Sequence, residues 1–250
     1  MDGGLFFYAV ALIAAVLVGA SKGGLPMVGM LGVPVLALAT SPVHAAGLLL
    51  PIFVVTDMFG LWAYRREFDR RNLMILVPAT TLGVAIGWAT ASIVPEWLVT
   101  LFVGLIGLAF SLNYWLRGRH AVAPHQADIP RGVFWGTVSG FTSFVSHAGA
   151  PPYQMYVLPQ RLDKMIYAGT TTILFAIVNA VKLVPYWALG QLSLANLKTV
   201  AALFPFAIAA TFAGVRLTRV IPQELFYRLV IGALFLVSLK LIYDAVMAQA

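Results

Sequence analysis

The sequence contains no cysteine and few charged residues, and these two absences narrow the classes of protein that it can encode. Of its 250 residues, 10% are charged and 61% are hydrophobic, whereas about a quarter of the residues of a soluble domain are charged. Without cysteine the chain has no disulfides and no thiolate metal sites, so thiol redox chemistry is not expected. The mean hydropathy of +0.91 indicates a protein that lies in a lipid bilayer.

Catalytic and nucleic-acid-binding patterns are also missing. The chain has no His-Glu-x-x-His motif, and its Gly-x-Ser-x-Gly match at residues 19–23 (GASKG) lies at the end of an apolar stretch rather than between a predicted strand and a helix. Ser146 and His147 are adjacent, an arrangement that ordinarily turns the two side chains apart. The net charge of +7 is spread over short loops, where a membrane protein needs it for orientation. We expect no enzyme activity, no cofactor, no metal and no nucleic-acid partner.

Six stretches are long and apolar enough to cross a bilayer, which takes about 20 residues. They are 44–64, 72–92, 97–116, 166–187, 197–215 and 223–246. Four others are too short to cross unaided. They are 5–20, 26–40, 132–144 and 151–160. The short stretches predict two helical pairs, each of which either enters the membrane and turns back or consists of two steeply packed short helices.

A polar, glycine-containing break separates the members of each short pair. The two breaks are residues 21–26 (SKGGLP) and 146–151 (SHAGAP). A polar break in an apolar run is tolerated mainly where protein surrounds it or where it lines a cavity. Two such breaks in corresponding halves of a membrane chain indicate the binding site of a transporter.

Further landmarks recur in the same order in the two halves of the chain. Asp57 corresponds to Asn179, and the segment Val94-Pro95-Glu96 corresponds to Ile221-Pro222-Gln223. We therefore predict an all-α polytopic membrane protein made of two repeats with inverted topology. Each repeat is a short helical hairpin, broken or re-entrant, followed by three transmembrane helices. The repeats are 1–117 and 132–250, joined by the cytoplasmic linker 118–131 within a single membrane domain.

The distribution of basic residues predicts the orientation. Eleven of them fall in loops that the predicted threading places on one side: Arg65, Arg66, Arg70, Arg71, Arg117, Arg119, Arg131, Arg161, Lys164, Arg216 and Arg219. By the positive-inside rule these loops are cytoplasmic. With these loops inside, both termini lie on the outer side of the cytoplasmic (inner) membrane, and one repeat is inverted relative to the other. Aromatic residues at the ends of the spans, including Tyr64 and Tyr186, fit the lipid interface.

Over nearly its full length the chain resembles the TauE/SafE sulfite exporters. The residues that carry the resemblance are 19–34 (GASKGGLPMVGMLGVP), 143–171 (SFVSHAGAPPYQMYVLPQRLDKMIYAGTT) and 178–190 (VNAVKLVPYWALG). The resemblance implies a secondary transporter that exports sulfite or a related small organosulfur anion by alternating access. An anion channel or an importer on the same inverted-repeat scaffold is the alternative.

Candidate ligands for an anion cluster at the two breaks. Half-helix N-termini offer backbone N–H groups and partial positive charge, serine adds hydroxyl donors, and glycine lets the backbone approach closely. The predicted substrate-binding residues are Ser21, Lys22, Gly23, Gly24, Ser143, Ser146, His147, Gly149, Gln154 and Lys182.

Ionisable residues within the apolar segments need a partner or a function. Lys22 is interpreted as a cation that attracts substrate, as one member of an ion pair, or as a residue that snorkels to the interface. Asp57, with Asn179 as its counterpart, is an ion-pair candidate with Lys22 or Lys182 as partner, or it could carry a coupling proton. His147 could bind the anion, take up a proton near neutral pH or simply pack. Lys182 either contacts substrate or reaches the outer interface.

Overall fold

A computed structural model describes residues 4–40, 42–91, 93–117, 124–188 and 200–248. Within these ranges the chain forms helices and turns and no β-strand. The helices are α1 (Leu5–Lys22), α2 (Pro26–Gly29), α3 (Gly32–Leu36), α4 (Pro42–Tyr64), α5 (Arg70–Thr90), α6 (Glu96–Arg117), α7 (Ile129–Ser146), α8 (Ala150–Val157), α9 (Lys164–Ala188), α10 (Phe204–Val220) and α11 (Gln223–Met247). The all-α prediction is confirmed. The start of the predicted span 197–215 and residues 118–123 of the predicted linker lie outside the described residues.

Six of the described helices are long and apolar enough to cross a membrane. They are Leu5–Lys22, Gly47–Tyr64, Arg70–Thr90, Glu96–Leu116, Lys164–Ala188 and Gln223–Met247. Five of these coincide with the full spans expected from the sequence. A polytopic membrane protein is therefore confirmed.

The sixth candidate span, α1, corrects the prediction that residues 5–20 are too short to cross. The helix continues through Ser21 and Lys22 and has 18 residues, which is about 27 Å at ~1.5 Å per residue. Counting apolar residues alone missed this, because a helix is held by backbone hydrogen bonds that polar residues also make. Helix α7 is likewise longer than its apolar stretch 132–144, with 18 residues.

Aspartate side chains fix the start of two helices. Asp69 accepts a hydrogen bond from the backbone N–H of Asn72 at 2.7 Å at the start of α5, and Asp128 accepts one from Arg131 at 3.0 Å at the start of α7. Such N-caps satisfy N–H groups that have no partner within the helix. The second cap explains why α7 begins at Ile129, three residues before its apolar stretch.

The chain divides into two compact units, and each unit draws on both halves of the sequence. The first unit comprises Met1–Phe68 and Ala168–Ile221. In it, α1 packs against α10 so closely that a Cβ atom at Gly19 would overlap the backbone carbonyl of Ala207. Helix α4 packs against both α1 and α10. The first break and the residues around it lie in this unit.

The second unit comprises Asp69–Tyr167 and Pro222–Ala250. Here α5 and α7 pack closely, and a Cβ atom at Gly83 or at Gly140 would overlap the backbone of the other helix. Helix α6 packs against α11, and α8 packs against α7. The second break, which joins α7 to α8, lies in this unit.

Candidate functional site

The first break is held by hydroxyl groups from the surrounding helices. Helix α1 ends at Lys22, and the carbonyl groups of its last turn have no partner within the helix. The carbonyl oxygen of Gly23 accepts hydrogen bonds from Tyr64 Oη at 2.7 Å and from Thr218 Oγ1 at 3.0 Å. The carbonyl oxygen of Lys22 accepts one from Thr172 Oγ1 at 3.3 Å. Helices α4, α9 and α10 thus each supply one donor.

Gly24 forms the turn itself. Its φ of +107° lies in a region that residues with a side chain rarely adopt. A Cβ atom there would lie 2.8 Å from both Thr218 Oγ1 and Tyr64 Oη and 2.9 Å from the Cβ atom of Ala168. The second glycine of the break is therefore required by backbone conformation and by the space that the capping hydroxyls occupy.

A buried ion pair lies directly beside this break. Lys22 Nζ is 2.6 Å from Asp57 Oδ1, and the other carboxylate oxygen accepts a hydrogen bond from Asn179 Nδ2 at 2.8 Å. All three side chains are buried. Lys22 therefore does not snorkel to an interface, and the carboxylate of Asp57 has the cationic partner that its position demands.

Lys182 is a second buried lysine close to this pair. Its side chain is 2% exposed, so it does not reach the outer interface, which was one of the two interpretations from the sequence. Lys22 and Asp57 both act on it electrostatically. Its Nζ atom is 6.0 Å from the centre of the Tyr186 ring. We refer to Lys22, Asp57, Asn179 and Lys182 as the buried cluster.

The second break ends α7 in a different way. His147 adopts the left-handed conformation, with φ 54°, and the N–H of Ala148 donates to the carbonyl of Thr142 at 3.2 Å, which gives a carbonyl near the end of the helix a partner. Hydroxyls of α7 again reach carbonyls of the connection. Ser139 Oγ donates to Gly149 at 2.7 Å and Thr142 Oγ1 to Ala148 at 3.0 Å.

The start of α8 offers fewer backbone donors than half-helix N-termini usually do. Pro151 and Pro152 have no N–H group, and the N–H of Tyr153 donates to the carbonyl of Gly149 at 3.3 Å. The start of α2 is similar, since its first residue is Pro26 and the helix has only 4 residues. The sequence shows these prolines, but the expectation of backbone donors overlooked them.

Two of the serines predicted to bind the anion direct their hydroxyl groups to their own helix. Ser21 Oγ donates to the carbonyl of Val18 at 2.6 Å, and Ser146 Oγ donates to that of Thr142 at 3.2 Å. A hydroxyl has a single hydrogen. In this conformation neither serine has a donor left for an anion.

Gln154 combines complete burial with a polar atom that has no hydrogen-bond partner. Its Nε2 atom donates to Tyr167 Oη at 3.0 Å, whereas its Oε1 atom is buried and unpartnered. An amide can rotate to exchange its two ends, so this side chain can present either a donor or an acceptor. It lies one turn after the second break, in the second unit.

The structure thus brings together three ionisable residues predicted from the sequence, Lys22, Asp57 and Lys182, while His147 lies in the second unit. It also adds residues that the sequence did not indicate. Lys22, Asp57 and Asn179 are in direct contact. The residues that the sequence did not indicate are the hydroxyl donors at the breaks: Tyr64, Ser139, Thr142, Thr172 and Thr218. Tyr64 had been assigned to the lipid interface, but it is fully buried. Among the described residues no group of three or more His, Asp and Glu side chains is arranged to hold a metal.

Replacing Tyr64 by Phe tests the capping of the first break. We expect a loss of about 1 kcal/mol in the free energy of unfolding, because one hydrogen bond is removed while Thr218 still donates to Gly23. The double variant Tyr64→Phe/Thr218→Val leaves a buried carbonyl without a donor and should lose roughly a further 1–3 kcal/mol. Denaturation in detergent measures both, with the exposed Tyr243 replaced by Phe as the control. Equal stability of all three variants would contradict this role.

The chain belongs to the TauE/SafE family: the family model described as Sulfite exporter TauE/SafE matches residues 10–241. The resemblance seen in the sequence is thereby confirmed. Together with the six helices able to span a membrane, the match identifies a membrane transport protein of a sulfite exporter family. No curated protein and no solved structure matches the chain.

Proposed function

We propose that this protein is a secondary transporter that exports sulfite or a related small organosulfur anion across the cytoplasmic membrane by alternating access. The observation that carries the proposal is the buried cluster of the first unit. It holds the side chains of Lys22 and Lys182 with the single carboxylate of Asp57, all of them buried.

Two cations and one carboxylate in an apolar interior favour the binding of an anion. Burying ionisable side chains is costly, and such residues within a membrane protein usually mark the path of a substrate or ion. An anion that contacts Lys22 and Lys182 brings a second negative charge to the buried cluster. A small oxyanion can also accept the hydrogen bonds that the ammonium groups donate.

The contact between Asp57 and Asn179 supports the inverted-repeat arrangement. The two residues are 122 positions apart and occupy corresponding places in the two halves of the sequence. A residue can touch its own counterpart only near the axis that relates two copies. Transporters built from inverted repeats place their substrate near such a midpoint.

The pairing of helices gives further support. The helix before the first break, α1, packs against α10 from the second half of the sequence, and the helix before the second break, α7, packs against α5 from the first half. By sequence, α10 and α5 are the corresponding helices of the two repeats. The same exchange of partners thus occurs in each unit. Together with the basic loops, it favours inverted repeats with both termini outside and the linker in the cytoplasm.

Further ligands are proposed on sequence grounds. In the first unit the glycines of the break, Gly23 and Gly24, shape the backbone next to Lys22. In the second unit Ser143, His147, Gly149 and Gln154 are the polar residues at or beside the break, and His147 is a candidate for carrying a coupling proton.

Counterflow in proteoliposomes tests the proposed function. Vesicles containing the purified protein are loaded with sulfite, and uptake of labelled sulfite, thiosulfate, sulfate, sulfoacetate or taurine is followed with and without a proton gradient. We expect saturable counterflow with sulfite or another of the organosulfur anions. Acceleration by the proton gradient would show proton coupling.

Electrical recording on the same protein separates a carrier from a channel. A channel passes many ions per opening, whereas a carrier shows slow, saturable exchange. Unitary currents would favour an anion channel. The absence of both currents and counterflow for every anion of the panel would overturn the proposal.

A further inference from the structure

The ends of α4 and α10 carry exposed aromatic and basic side chains in the first unit. The Trp62 ring of α4 and the Phe212 ring of α10 are in edge-to-face contact, with their centres 6.2 Å apart. Trp62 is 60% exposed and Phe212 is 40% exposed. Arg65 directly follows α4, Arg216 lies near the end of α10, and both are exposed. We refer to these four residues as the basic aromatic patch.

Arg65 and Arg216 belong to one surface because α4 and α10 end side by side. Further along the chain than the contact between the two rings, Glu67 lies 3.8 Å from Arg219. Arg65 and Arg216 each fall between these two contacts. Phe212 and Arg216 are four residues apart, so they share one face of α10. The two arginines therefore lie beyond the aromatic rings, at the same end of the helix pair.

The guanidinium group of Arg65 is held in place by Trp62. Its Cζ atom lies 4.9 Å from the centre of the Trp62 ring, which is a cation–π arrangement. Its Nη1 atom donates to the carbonyl oxygen of Trp62 at 2.7 Å. A guanidinium group has five N–H donors, so most of them remain available on a side chain that is already ordered. Such a planar group binds the oxygen atoms of a phosphate in a bidentate manner.

No carboxylate offsets the charge of the patch. In the part of the chain that the structure describes, none of Arg65, Arg66 and Arg216 forms an ion pair. Arg66 is exposed as well and adds a further positive charge next to Arg65. The excess positive charge thus lies beside aromatic rings at the end of the candidate membrane span Gly47–Tyr64.

We propose that the basic aromatic patch binds the headgroup of an anionic phospholipid. The phosphodiester contacts Arg65 and Arg216, and the adjoining part of the acyl chains packs on Trp62 and Phe212. Aromatic side chains favour the level of the headgroups in a bilayer, and basic residues near the ends of membrane helices attract anionic lipids. A zwitterionic phospholipid also carries a cationic group, which the arginines repel.

A second copy of the chain is a poorer occupant of this surface than a lipid. Homodimers are most often twofold symmetric, so the same patch on each copy would face itself. Like charges would then meet without a carboxylate between them. Binding of a lipid has no such cost, and it concerns the outer surface of the helices, independently of the proposed transport.

Native mass spectrometry of the purified protein tests the proposal. The protein is titrated with phosphatidylglycerol or with phosphatidylcholine of the same acyl chains. We expect wild type to bind phosphatidylglycerol at least about fivefold more tightly, roughly the contribution of one basic residue near an anionic headgroup. The preference should fall below about twofold in Arg65→Gln/Arg216→Gln, which removes two such residues. Glycerol 3-phosphate, which has the phosphate without the acyl chains, should not displace the lipid.

Two single variants separate a built site from a general effect of charge. Arg65→Gln and Arg228→Gln each remove one positive charge. Arg228 is also exposed but belongs to the second unit, so only Arg65→Gln should weaken the binding of phosphatidylglycerol. Arg65→Lys keeps the charge and loses the planar group that stacks on Trp62, so it should weaken binding about threefold or more.

The results that would overturn the proposal are distinct from one another. Equal affinity of wild type for the two lipids would do so, as would equal losses in Arg65→Gln and Arg228→Gln. Displacement of the lipid by glycerol 3-phosphate would indicate a site for small anions instead. A wild-type dimer that the double variant dissociates would assign the patch to a second copy. If the double variant does not fold, unchanged binding in Arg65→Lys overturns the proposal and weakened binding supports it.

Discussion

Replacing Lys22 by Met is expected to lower anion transport at least about a hundredfold and to destabilise the protein by roughly 3 kcal/mol. The loss of transport follows from removing the ammonium group that is proposed to bind the anion, since a pair of unit charges about 4 Å apart is worth ~4 kcal/mol in a protein environment. The loss of stability follows because Asp57 remains buried with Asn179 as its partner, and breaking a buried ion pair costs about 3–5 kcal/mol. Counterflow and chemical denaturation in detergent measure the two effects separately.

A second substitution distinguishes binding from folding. Lys22→Met/Asp57→Asn removes both members of the pair, so most of the stability should return. Transport should remain about tenfold or more below wild type, because the group proposed to contact the anion is still missing. Lys240→Met is the control, since Lys240 pairs with Asp244 at 2.7 Å but is 40% exposed, and exposed pairs contribute ~0–1 kcal/mol. Wild-type flux in Lys22→Met, at equal amounts of folded protein, would remove Lys22 from the site.

Replacing Gly24 by Ala should have the largest effect of any small substitution at the first break. The φ of +107° strains a residue that has a side chain by about 1–3 kcal/mol. The added Cβ atom also overlaps Tyr64 Oη and Thr218 Oγ1, each at 2.8 Å, and overpacking of this kind typically costs a further ~1–3 kcal/mol. We expect a loss of roughly 3 kcal/mol in the free energy of unfolding and at least tenfold slower transport, because the turn beside Lys22 must shift.

Gly232 provides the matched control for this substitution. It lies in α11, and a Cβ atom there would meet nothing within 4 Å. Gly232→Ala should leave the protein as stable as wild type or slightly more stable, by up to about 1 kcal/mol, because alanine favours the helix. Equal unfolding midpoints for the Gly24 and Gly232 variants would show that the break tolerates a side chain.

The ionisable part of the site could be predicted from the sequence because charges are rare in this chain. An aspartate in the middle of an apolar helix needs a cation, and few lysines lie within apolar segments. Few cations could therefore be the partner of Asp57, and Lys22 and Lys182 were the candidates. In the structure Lys22 is in direct contact with Asp57, and Lys182 is buried nearby.

The hydroxyl donors could not be predicted in the same way. Serine, threonine and tyrosine are common in membrane helices, and their usual partner is a carbonyl of their own helix. Thr211 does this, donating to Ala207 at 3.0 Å. Thr218, two turns later on the same helix, donates to Gly23 instead. Only the packing of α10 against α1 decides between the two partners, and a single sequence does not reveal that packing.

A chain assembled from two identical copies of one repeat could not reproduce the buried cluster. Asp57 and Asn179 are 2.8 Å apart, so a symmetric ancestor or design would place two aspartates or two asparagines face to face. Two carboxylates at that distance cannot both be ionised, and two amides would leave the lysines without any counter-charge. If the two halves are repeats, as proposed, their union in one polypeptide allows the two positions to differ. A single carboxylate that faces an amide is then possible in one chain but not in a symmetric homodimer.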